Sequence, residues 1–306
     1  MQTRSPLLDF GRHTPTAGGS VVIARASGRF VRRMLAGLCT AAMLCSLTAC
    51  SAPRLAGRAE AEAQMSPCEK AMTLADYATH PTEGTPLLEQ YATGLAAPLA
   101  WIDVAGYCSG RFAEGTLRDA QTKQWLAFLA DKFGQSAPEV TPARLDGVTS
   151  ANVDQSVLDA MAVAEDRAGF AIEVLAARGT TAGATLALSD MHKTAGQQLV
   201  ALANGNFDDP GAQSSSSGQS DPRQKVYAID QLLANPTTIA DKASGQTVPT
   251  AAAIEMDCAR AQIKAVTESK SSTESDTLLI LAALAAKHAY TAFQLGYPAT
   301  DAALFE

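Results

Sequence analysis

The sequence is poor in aromatic residues and in positive charge, and its one signal-like apolar stretch is too short to span a membrane. Aromatic residues make up 6% of the 306 residues, and the apolar stretch Met34–Leu47 has 14 residues, whereas a spanning helix needs about 20. Counted from Cys50 onward, 18 basic and 30 acidic side chains remain. So acidic a chain offers no basic patch for phosphate groups, which argues against nucleic acid as a partner.

The common catalytic motifs are also missing. The sequence contains no Gly-x-Ser-x-Gly nucleophile turn, no Gly-x-Gly-x-x-Gly dinucleotide loop and no phosphate-binding loop. No cysteine has a recognisable histidine and Asn/Asp arrangement around it. These absences favour a binding or assembly module over an enzyme.

The N-terminal region has the pattern of an export signal. Three arginines (Arg29, Arg32 and Arg33) precede the apolar stretch, which ends in Leu47-Thr48-Ala49-Cys50. This tetrapeptide resembles the lipobox of bacterial lipoproteins, in which the cysteine receives acyl chains and becomes the mature N-terminus. We therefore predict a signal peptide with an N-terminal extension over 1–49 and a lipid-attached tether over 50–65, which would hold the protein on the extracytoplasmic face of the cell membrane. The alternative is an ordinary signal peptide that is cut at an alanine and leaves Cys50 unmodified.

Three cysteines remain once the signal peptide and the lipidation site are set aside: Cys68, Cys108 and Cys258. An odd number in an oxidising compartment predicts one disulfide and one spare thiol. We favour Cys68–Cys108, because both residues fall in the predicted N-terminal helices. The two pairings that involve Cys258 stay open.

Alanine-rich, aromatic-poor segments with helical periodicity predict an all-α fold. Ser66-Pro67-Cys68-Glu69 has the pattern of a helix start, and Thr116 is predicted to cap a helix that ends at Lys132. Four long helices follow, as two antiparallel hairpins joined by a long connection, which is the connectivity of a ferritin-like bundle. We predict an N-terminal helical subdomain at 66–134 and a linker at 135–151. A four-helix bundle follows at 152–297, with a mobile insert at 205–223, and a tail occupies 298–306.

Three segments of the predicted bundle resemble actinobacterial ferritin-like domains of unknown function. They are AMAVAEDRAGFAIEVLAARG (160–179), DMHKTAGQQL (190–199) and AAIEMDCARAQIKAV (252–266). The resemblance covers about the last 150 residues and implies a ferritin-like four-helix bundle. It implies no reaction, because the activity of that family is itself unknown.

One ionisable residue on each predicted bundle helix falls on or near the apolar stripe. These residues are Glu165, His192, Glu255 and His288. Ferritin-like di-iron proteins carry Glu-x-x-His on two helices, but here Ser189 and Ala285 stand three residues before the histidines, which argues against a di-iron oxidase. We favour a structural pairing of these buried groups. A metal site built from them is the alternative.

The preferred interpretation is a lipid-anchored envelope protein without a resident cofactor, which binds an envelope protein or a small-molecule ligand. One alternative is a metal-binding or redox protein that uses the four Glu and His residues. Another is a helical solute-binding lipoprotein, which a pocket near Trp101 and Trp125 would favour. From the sequence alone, the pairs Trp101/Tyr107 and Trp125/Phe128 are interpreted as core rather than as a ligand platform, and His80 as a surface or capping group.

Overall fold

A computed structural model describes residues 64–137, 145–205, 221–270 and 273–305. The predicted signal peptide, the lipidation site Cys50 and nearly all of the predicted tether lie outside the described residues. So do 138–144 of the predicted linker and 206–220 of the predicted insert. The described residues are mostly helical, and their strands form a two-stranded antiparallel sheet. The all-α prediction is therefore confirmed.

The described chain begins with four helices: α1 (Pro67–Thr79), α2 (Leu87–Gly94), α3 (Ala97–Tyr107) and α4 (Phe112–Lys132). The predicted start of α1 is confirmed. The Ser66 hydroxyl accepts the backbone N–H of Glu69 at 3.2 Å, and the Glu69 carboxylate accepts the backbone N–H of Ser66 at 2.8 Å. These reciprocal bonds satisfy two N–H groups that a helix end leaves free. His80 is the exposed C-cap of α1, as predicted.

Helix α4 begins five residues earlier than predicted, since its N-cap is Arg111 and not Thr116. Thr116, predicted to be its N-cap, is fully buried inside the helix and donates its hydroxyl to the Phe112 carbonyl at 2.7 Å. The neighbouring Gly115 gives the reason. A Cβ at Gly115 would lie 2.5 Å from the Trp101 carbonyl oxygen and from the Ala105 nitrogen, so α3 and α4 pack here backbone against backbone. Tertiary packing thus overrides the local tendency of threonine to start a helix.

Two long helices, α5 (Gln155–Arg178) and α6 (Leu186–Asn204), form the first predicted hairpin. Gly179 ends α5 in the left-handed conformation, with φ of 66°, which glycine adopts without steric penalty. Six residues later, the Thr185 hydroxyl accepts the Leu188 N–H at 3.1 Å and caps α6. A connection this short makes the two helices neighbours.

The rest of the described chain forms a short helix, a β-hairpin and three further helices: α7 (Asp230–Ala234), β1 (Thr238–Ala240), β2 (Thr247–Pro249), α8 (Thr250–Thr267), α9 (Ser275–Gln294) and α10 (Asp301–Phe305). In the hairpin, Ile239 lies opposite Val248. Strand β2 leads directly into α8, and Thr250 donates its hydroxyl to the Asn235 carbonyl. The hairpin thereby fixes where α8 begins.

One apolar core runs across the predicted domain boundaries. Helix α5 packs against α6 and α8, α8 packs against α9, and α9 also packs against α3 and α4. The largest cluster of buried apolar residues draws members from all of these helices and includes Leu145 of the predicted linker. Helices α3 and α4 of the predicted N-terminal subdomain therefore share their core with the helices that follow, whereas the buried alanines of α1 belong to a separate cluster with α3.

The segment 298–306, predicted to be a tail, contains a short helix that packs against the core. Residues Asp301–Phe305 form α10, and Ala303 and Leu304 are buried in the main core. Two hydrogen bonds, at 2.6 and 2.9 Å, join the Arg118 guanidinium to the Asp301 carboxylate. This pair links two residues 183 positions apart and ties the end of the described chain to α4.

A disulfide joins Cys68 in α1 to Cys108, the residue that ends α3. This is the pairing that the sequence favoured. Cys258 is a buried free thiol. The bridge closes a loop that contains α2 and α3, and such closure limits the unfolded chain more than the folded one.

Candidate metal centre

The four ionisable residues predicted from the helical stripes lie together in the structure. Glu165 belongs to α5, His192 to α6, Glu255 to α8 and His288 to α9. Both glutamates are fully buried, and the histidines are exposed by only 1% and 4%. We call these four residues the Glu/His cluster. Each reaches it because it replaces an apolar residue on the inward stripe of its helix.

The Glu/His cluster is a closed ring in which glutamate and histidine alternate. His192 places Nδ1 2.6 Å from Glu165 Oε2 and Nε2 2.8 Å from Glu255 Oε1. His288 places Nδ1 2.9 Å from Glu255 Oε2 and Nε2 2.8 Å from Glu165 Oε1. All four carboxylate oxygens and all four ring nitrogens are therefore used, and each carboxylate bridges two imidazoles.

The ring contains four N···O contacts but too few protons of its own to fill them. A neutral imidazole carries one N–H and an ionised carboxylate carries none. Two neutral histidines therefore supply two of the four bonding protons, and the two remaining contacts would join lone pairs. Two further protons, or an equivalent positive charge, must lie within the ring.

Attraction within the ring opposes the effect of burial on the two carboxyl groups. Burial alone would raise the pKa of Glu165, but the charge of His288 and hydrogen bonds to both histidines hold that pKa well below its usual range. For Glu255, burial is likewise outweighed by the charge of His192 and by hydrogen bonds to both histidines, which lower the pKa to about 2. Both carboxylates are therefore ionised at neutral pH while the histidines carry their charge.

The histidines show the complementary shift. Burial alone would lower the pKa of His192, but the Glu255 charge and hydrogen bonds with Cys258 and both glutamates raise it well above its usual value. Burial is outweighed in the same way at His288 by Glu165 and Glu255, so its pKa is also raised. The two rings are stacked, with centroids 4.7 Å apart and planes 12° apart. A metal-free ring must hold two like charges in this stack, away from water.

Two further residues of α8 belong to the site, and the sequence analysis did not assign either to it. Gln262 is fully buried and donates its amide to Glu165 Oε1 at 2.8 Å, while its own Oε1 accepts no hydrogen bond from any residue that the structure describes. Cys258 also lies close to the cluster. One donor atom from each of Cys258, Glu165, His192 and His288 can be chosen so that all four lie within 4.8 Å of one another. Cys258 and Gln262 follow Glu255 by three and seven residues, so all three lie on one face of the helix. This spacing is the sequence signal that could have assigned Cys258 and Gln262 to the site.

These donor groups suit a divalent transition metal. Protein zinc sites combine imidazole nitrogen and carboxylate oxygen at about 2.0–2.2 Å from the ion, and imidazole ligands favour zinc, copper, iron or nickel over magnesium or calcium. One divalent cation also carries the same charge as the two protons that the ring needs. The buried Gln262 oxygen and the Cys258 thiol are two further donors, although burial raises the pKa of that thiol to about 12 and keeps it protonated without a metal.

An apolar groove reaches this site from the surface. It has a volume of about 380 Å³ and lies between α5, α8 and the chain at 228–232. Alanines are the commonest residues of its walls, Ile254, Leu232 and Cys258 are among the larger ones, and Arg167 and Asp257 are the charged ones. Because Cys258 lies both in the groove and beside the Glu/His cluster, the thiol separates the two.

The other predicted residues lie away from the Glu/His cluster. The Cys68–Cys108 disulfide joins α1 and α3 and touches none of the four residues. Ser189, at the position where a di-iron motif would have glutamate, donates its hydroxyl to the Gly169 carbonyl at 2.8 Å. Trp101 is buried as predicted, but Tyr107 is 39% exposed and Phe128 is 54% exposed, so the assignment of these two residues to the core was wrong.

No known protein family, curated protein or solved structure matches this chain. Among the described residues, no helix has both the length and the apolar character needed to cross a membrane.

Proposed function

We propose that this protein is a lipid-anchored envelope protein whose helical core binds a first-row transition-metal ion at the Glu/His cluster, where single donor atoms of Glu165, His192, His288 and the neighbouring Cys258 lie within 4.8 Å of one another. One observation carries the metal proposal: four ligand-type side chains from four different helices meet in a closed, buried ring. The proposal concerns binding and assigns no reaction. It reverses the preference for a purely structural pairing that the sequence suggested.

The energetics of burial favour a metal over a purely structural ring. Removing charged groups from water is so unfavourable that a buried ion pair adds little net stability over apolar side chains of the same size. Here two carboxylates and two stacked imidazoles take up the space of four core residues. A bound metal ion gives these groups a stabilising partner, and it removes the need for two adjacent imidazolium charges.

The fold proposal follows from the same arrangement. We propose that α5, α6, α8 and α9 form a ferritin-like four-helix bundle, with the Glu/His cluster at its centre. It is supported by the short α5–α6 connection, the long connection to α8, and the placement of one inward polar residue on each helix. The resemblance to actinobacterial ferritin-like domains stays a prediction.

Metal analysis of the purified protein tests the function. Protein expressed in medium supplemented with zinc and iron should retain about one metal ion per chain after dialysis, and His192→Ala and His288→Ala should each lose it. The matched control is His80→Ala, which removes an exposed histidine at the end of α1 and should leave the metal content unchanged. Glu165→Gln preserves the size of a ligand while removing its charge, and should also lose the metal.

Circular dichroism distinguishes loss of metal from loss of fold in these variants. Folded wild-type protein that retains no stoichiometric metal would overturn the proposal in favour of a structural ring. Metal that persists in both histidine variants would show that it binds elsewhere.

Membrane attachment has its own test. Because the predicted anchor is a set of acyl chains on one sulfur, Cys50→Ala should move the protein from the membrane fraction to the soluble fraction of the envelope. Cys258→Ala is the matched control, since it also removes a single thiol. Unchanged membrane retention of Cys50→Ala would contradict the lipid anchor.

A further inference from the structure

A second cavity lies away from the Glu/His cluster, between α1 and α4. Both helices pack against the intervening helix α3, and Trp101 of α3 lines the space left between them. The cavity has a volume of about 560 Å³, which falls in the usual range of about 300–1,000 Å³ for small-molecule sites. Met72, Asp76 and His80 line one side, and residues of α4 line the other. We call this cavity the tryptophan cleft.

The charged groups of the tryptophan cleft already have partners within the protein. Asp76 contacts His80 Nδ1 at 3.0 Å, and Glu114 accepts from Arg111 at 2.7 Å. Arg118 makes its two hydrogen bonds to the Asp301 carboxylate. An ionic ligand would compete with these pairs, so the tryptophan cleft is better suited to an uncharged molecule.

Hydrogen-bonding groups in the tryptophan cleft remain available for such a molecule. The indole N–H of Trp101 meets no acceptor among the described residues and is closed to solvent, whereas a buried tryptophan N–H usually finds an acceptor. A ligand oxygen would reach this N–H once the side chains around it move. The half-buried Gln124 side chain also lines the tryptophan cleft, and its amide can both donate and accept. A ligand with oxygen atoms that accept and hydroxyl groups that donate would match both residues.

Aromatic surfaces complete the tryptophan cleft. Trp125 and Phe128 lie three residues apart on α4, so they belong to the same helix face. Trp125 is half-buried against Gly94, and Phe128 is 54% exposed beside it. Such rings offer apolar area with little loss of side-chain entropy on binding. They would pack against the C–H face of a sugar ring while its hydroxyl edge meets the polar groups.

From this combination we propose that the tryptophan cleft binds an uncharged carbohydrate, with Trp125 and Phe128 stacking on a sugar ring and Trp101 and Gln124 bonding its oxygens. The site is independent of the metal centre, since no residue of the Glu/His cluster lines it. It therefore adds a second binding activity to the proposed function.

The chain has two tryptophans, and both line the tryptophan cleft, so intrinsic fluorescence reports directly on its occupancy. We suggest titrating the purified protein with cellobiose, maltose and chitobiose, and with choline and adenosine as a cationic and a planar comparator. At least one disaccharide should give a saturable change in fluorescence, with a dissociation constant of roughly 10⁻⁵–10⁻³ M. Calorimetry with the same sugar should give the same constant.

Two variants with a matched control test the assigned roles. Phe128→Ala should weaken sugar binding about tenfold, because it removes a stacking surface. Tyr77→Ala removes another exposed aromatic residue, 68% exposed on α1 and outside the tryptophan cleft, and should bind as the wild type does. Trp101→Phe retains a ring but loses the N–H, and should also weaken binding about tenfold.

The outcomes separate the possible occupants. No fluorescence response to any of the three sugars at about 10 mM, a concentration far above the expected constant, would overturn the proposal. Saturable binding of choline or adenosine alone would overturn it too, in favour of a cationic or a planar aromatic ligand. Equal binding by Phe128→Ala and Tyr77→Ala would rule out the stacking role. Sugar binding that persists in His192→Ala would keep the two sites distinct.

Discussion

The contact between α3 and α4 and the centre of α5, α6, α8 and α9 bring helices together by opposite means. At the first, Gly115 has no side chain and lets the backbones of Trp101 and Ala105 approach. At the second, four ionisable side chains fill the space between the helices. The first contact needs only matching shapes. The second must also balance its charge, so its stability depends on protons and on whatever cation it binds.

Breaking the charged ring should have the largest effect. In metal-free protein, Glu165→Ala removes one of the two carboxylates and leaves both histidines and Gln262 with unmet polar atoms in the core. We expect a loss of about 3–5 kcal/mol in the free energy of unfolding, measured by denaturant titration. Glu173→Ala removes an exposed carboxylate of the same helix, one that pairs with Lys193, and should lose less than about 1 kcal/mol. Similar losses in the two variants would contradict the importance of the ring.

Filling the close contact should have the next largest effect. A Cβ added by Gly115→Ala would overlap backbone atoms at 2.5 Å, so α3 and α4 must move apart, at a cost of about 1–3 kcal/mol. Gly196→Ala is the matched change beside the Glu/His cluster. There the nearest atom would be the Ala162 carbonyl oxygen at 3.4 Å, and the higher helix propensity of alanine should stabilise the protein by up to about 1 kcal/mol. Denaturant unfolding of both variants measures the contrast, and equal destabilisation would refute it.

Helical periodicity predicted the Glu/His cluster better than it predicted the close contact between α3 and α4. Glu165, His192, Glu255 and His288 could be placed on inward stripes because each helix repeats its apolar face every 3.6 residues. Their alternating ring could not be predicted, since it depends on the rotation of each helix and on side-chain rotamers. Gln262 was missed for another reason, because glutamine in an α-helix is usually exposed to solvent.

Contacts between distant parts of the chain were the least predictable. The capping box at Ser66 was read correctly because it is a local signal of four residues. The start of α4 was predicted wrongly because Gly115 packs against the backbone of α3, and this contact is not visible in the neighbouring sequence. The hydrogen bonds between Arg118 and Asp301 join residues 183 positions apart. No local sequence pattern predicts a contact over that separation.

The pH dependence of stability should distinguish the two regions. In metal-free protein the glutamates stabilise the fold above their ordinary pKa of 4.5, and this contribution is lost as the pH falls towards about 2. The histidines stabilise it below their ordinary pKa of 6.5, and theirs is lost as the pH rises through their raised values. Stability should therefore peak between these ordinary values and fall by about 1–2 kcal/mol between pH 6 and pH 9.

Thermal unfolding of metal-free protein across this range measures the effect. Glu165→Gln weakens the charge balance of the ring and should flatten the profile, whereas Gly115→Ala should shift it downward without changing its shape. A wild-type profile that stays level from pH 6 to pH 9 would argue against charged histidines in the ring.

The smallest expected effect comes from Asp119, a buried carboxylate of α4. Asp119 is fully buried, its Oδ2 accepts from Lys123 at 2.6 Å, and its Oδ1 has no hydrogen-bond partner among the described residues. Burial raises the pKa of Asp119 to about 6 although Lys123 lowers it. A carboxyl group whose pKa is raised on folding destabilises the fold as the pH rises above its ordinary value of 3.8. In the Glu/His cluster the opposite holds, because attraction to the histidines outweighs burial for both glutamates.

Asp119→Asn keeps the shape of the side chain and removes its charge. We expect this variant to be more stable than the wild type by about 1 kcal/mol at pH 8 and about equal to it at pH 4, measured by denaturant unfolding. Asp131→Asn, an exposed position of the same helix, should show no such pH-dependent gain. If Asp119→Asn is instead less stable at pH 8, the pair with Lys123 stabilises α4. Both regions of the core would then depend on balanced charge, and the contrast between them would hold only at Gly115.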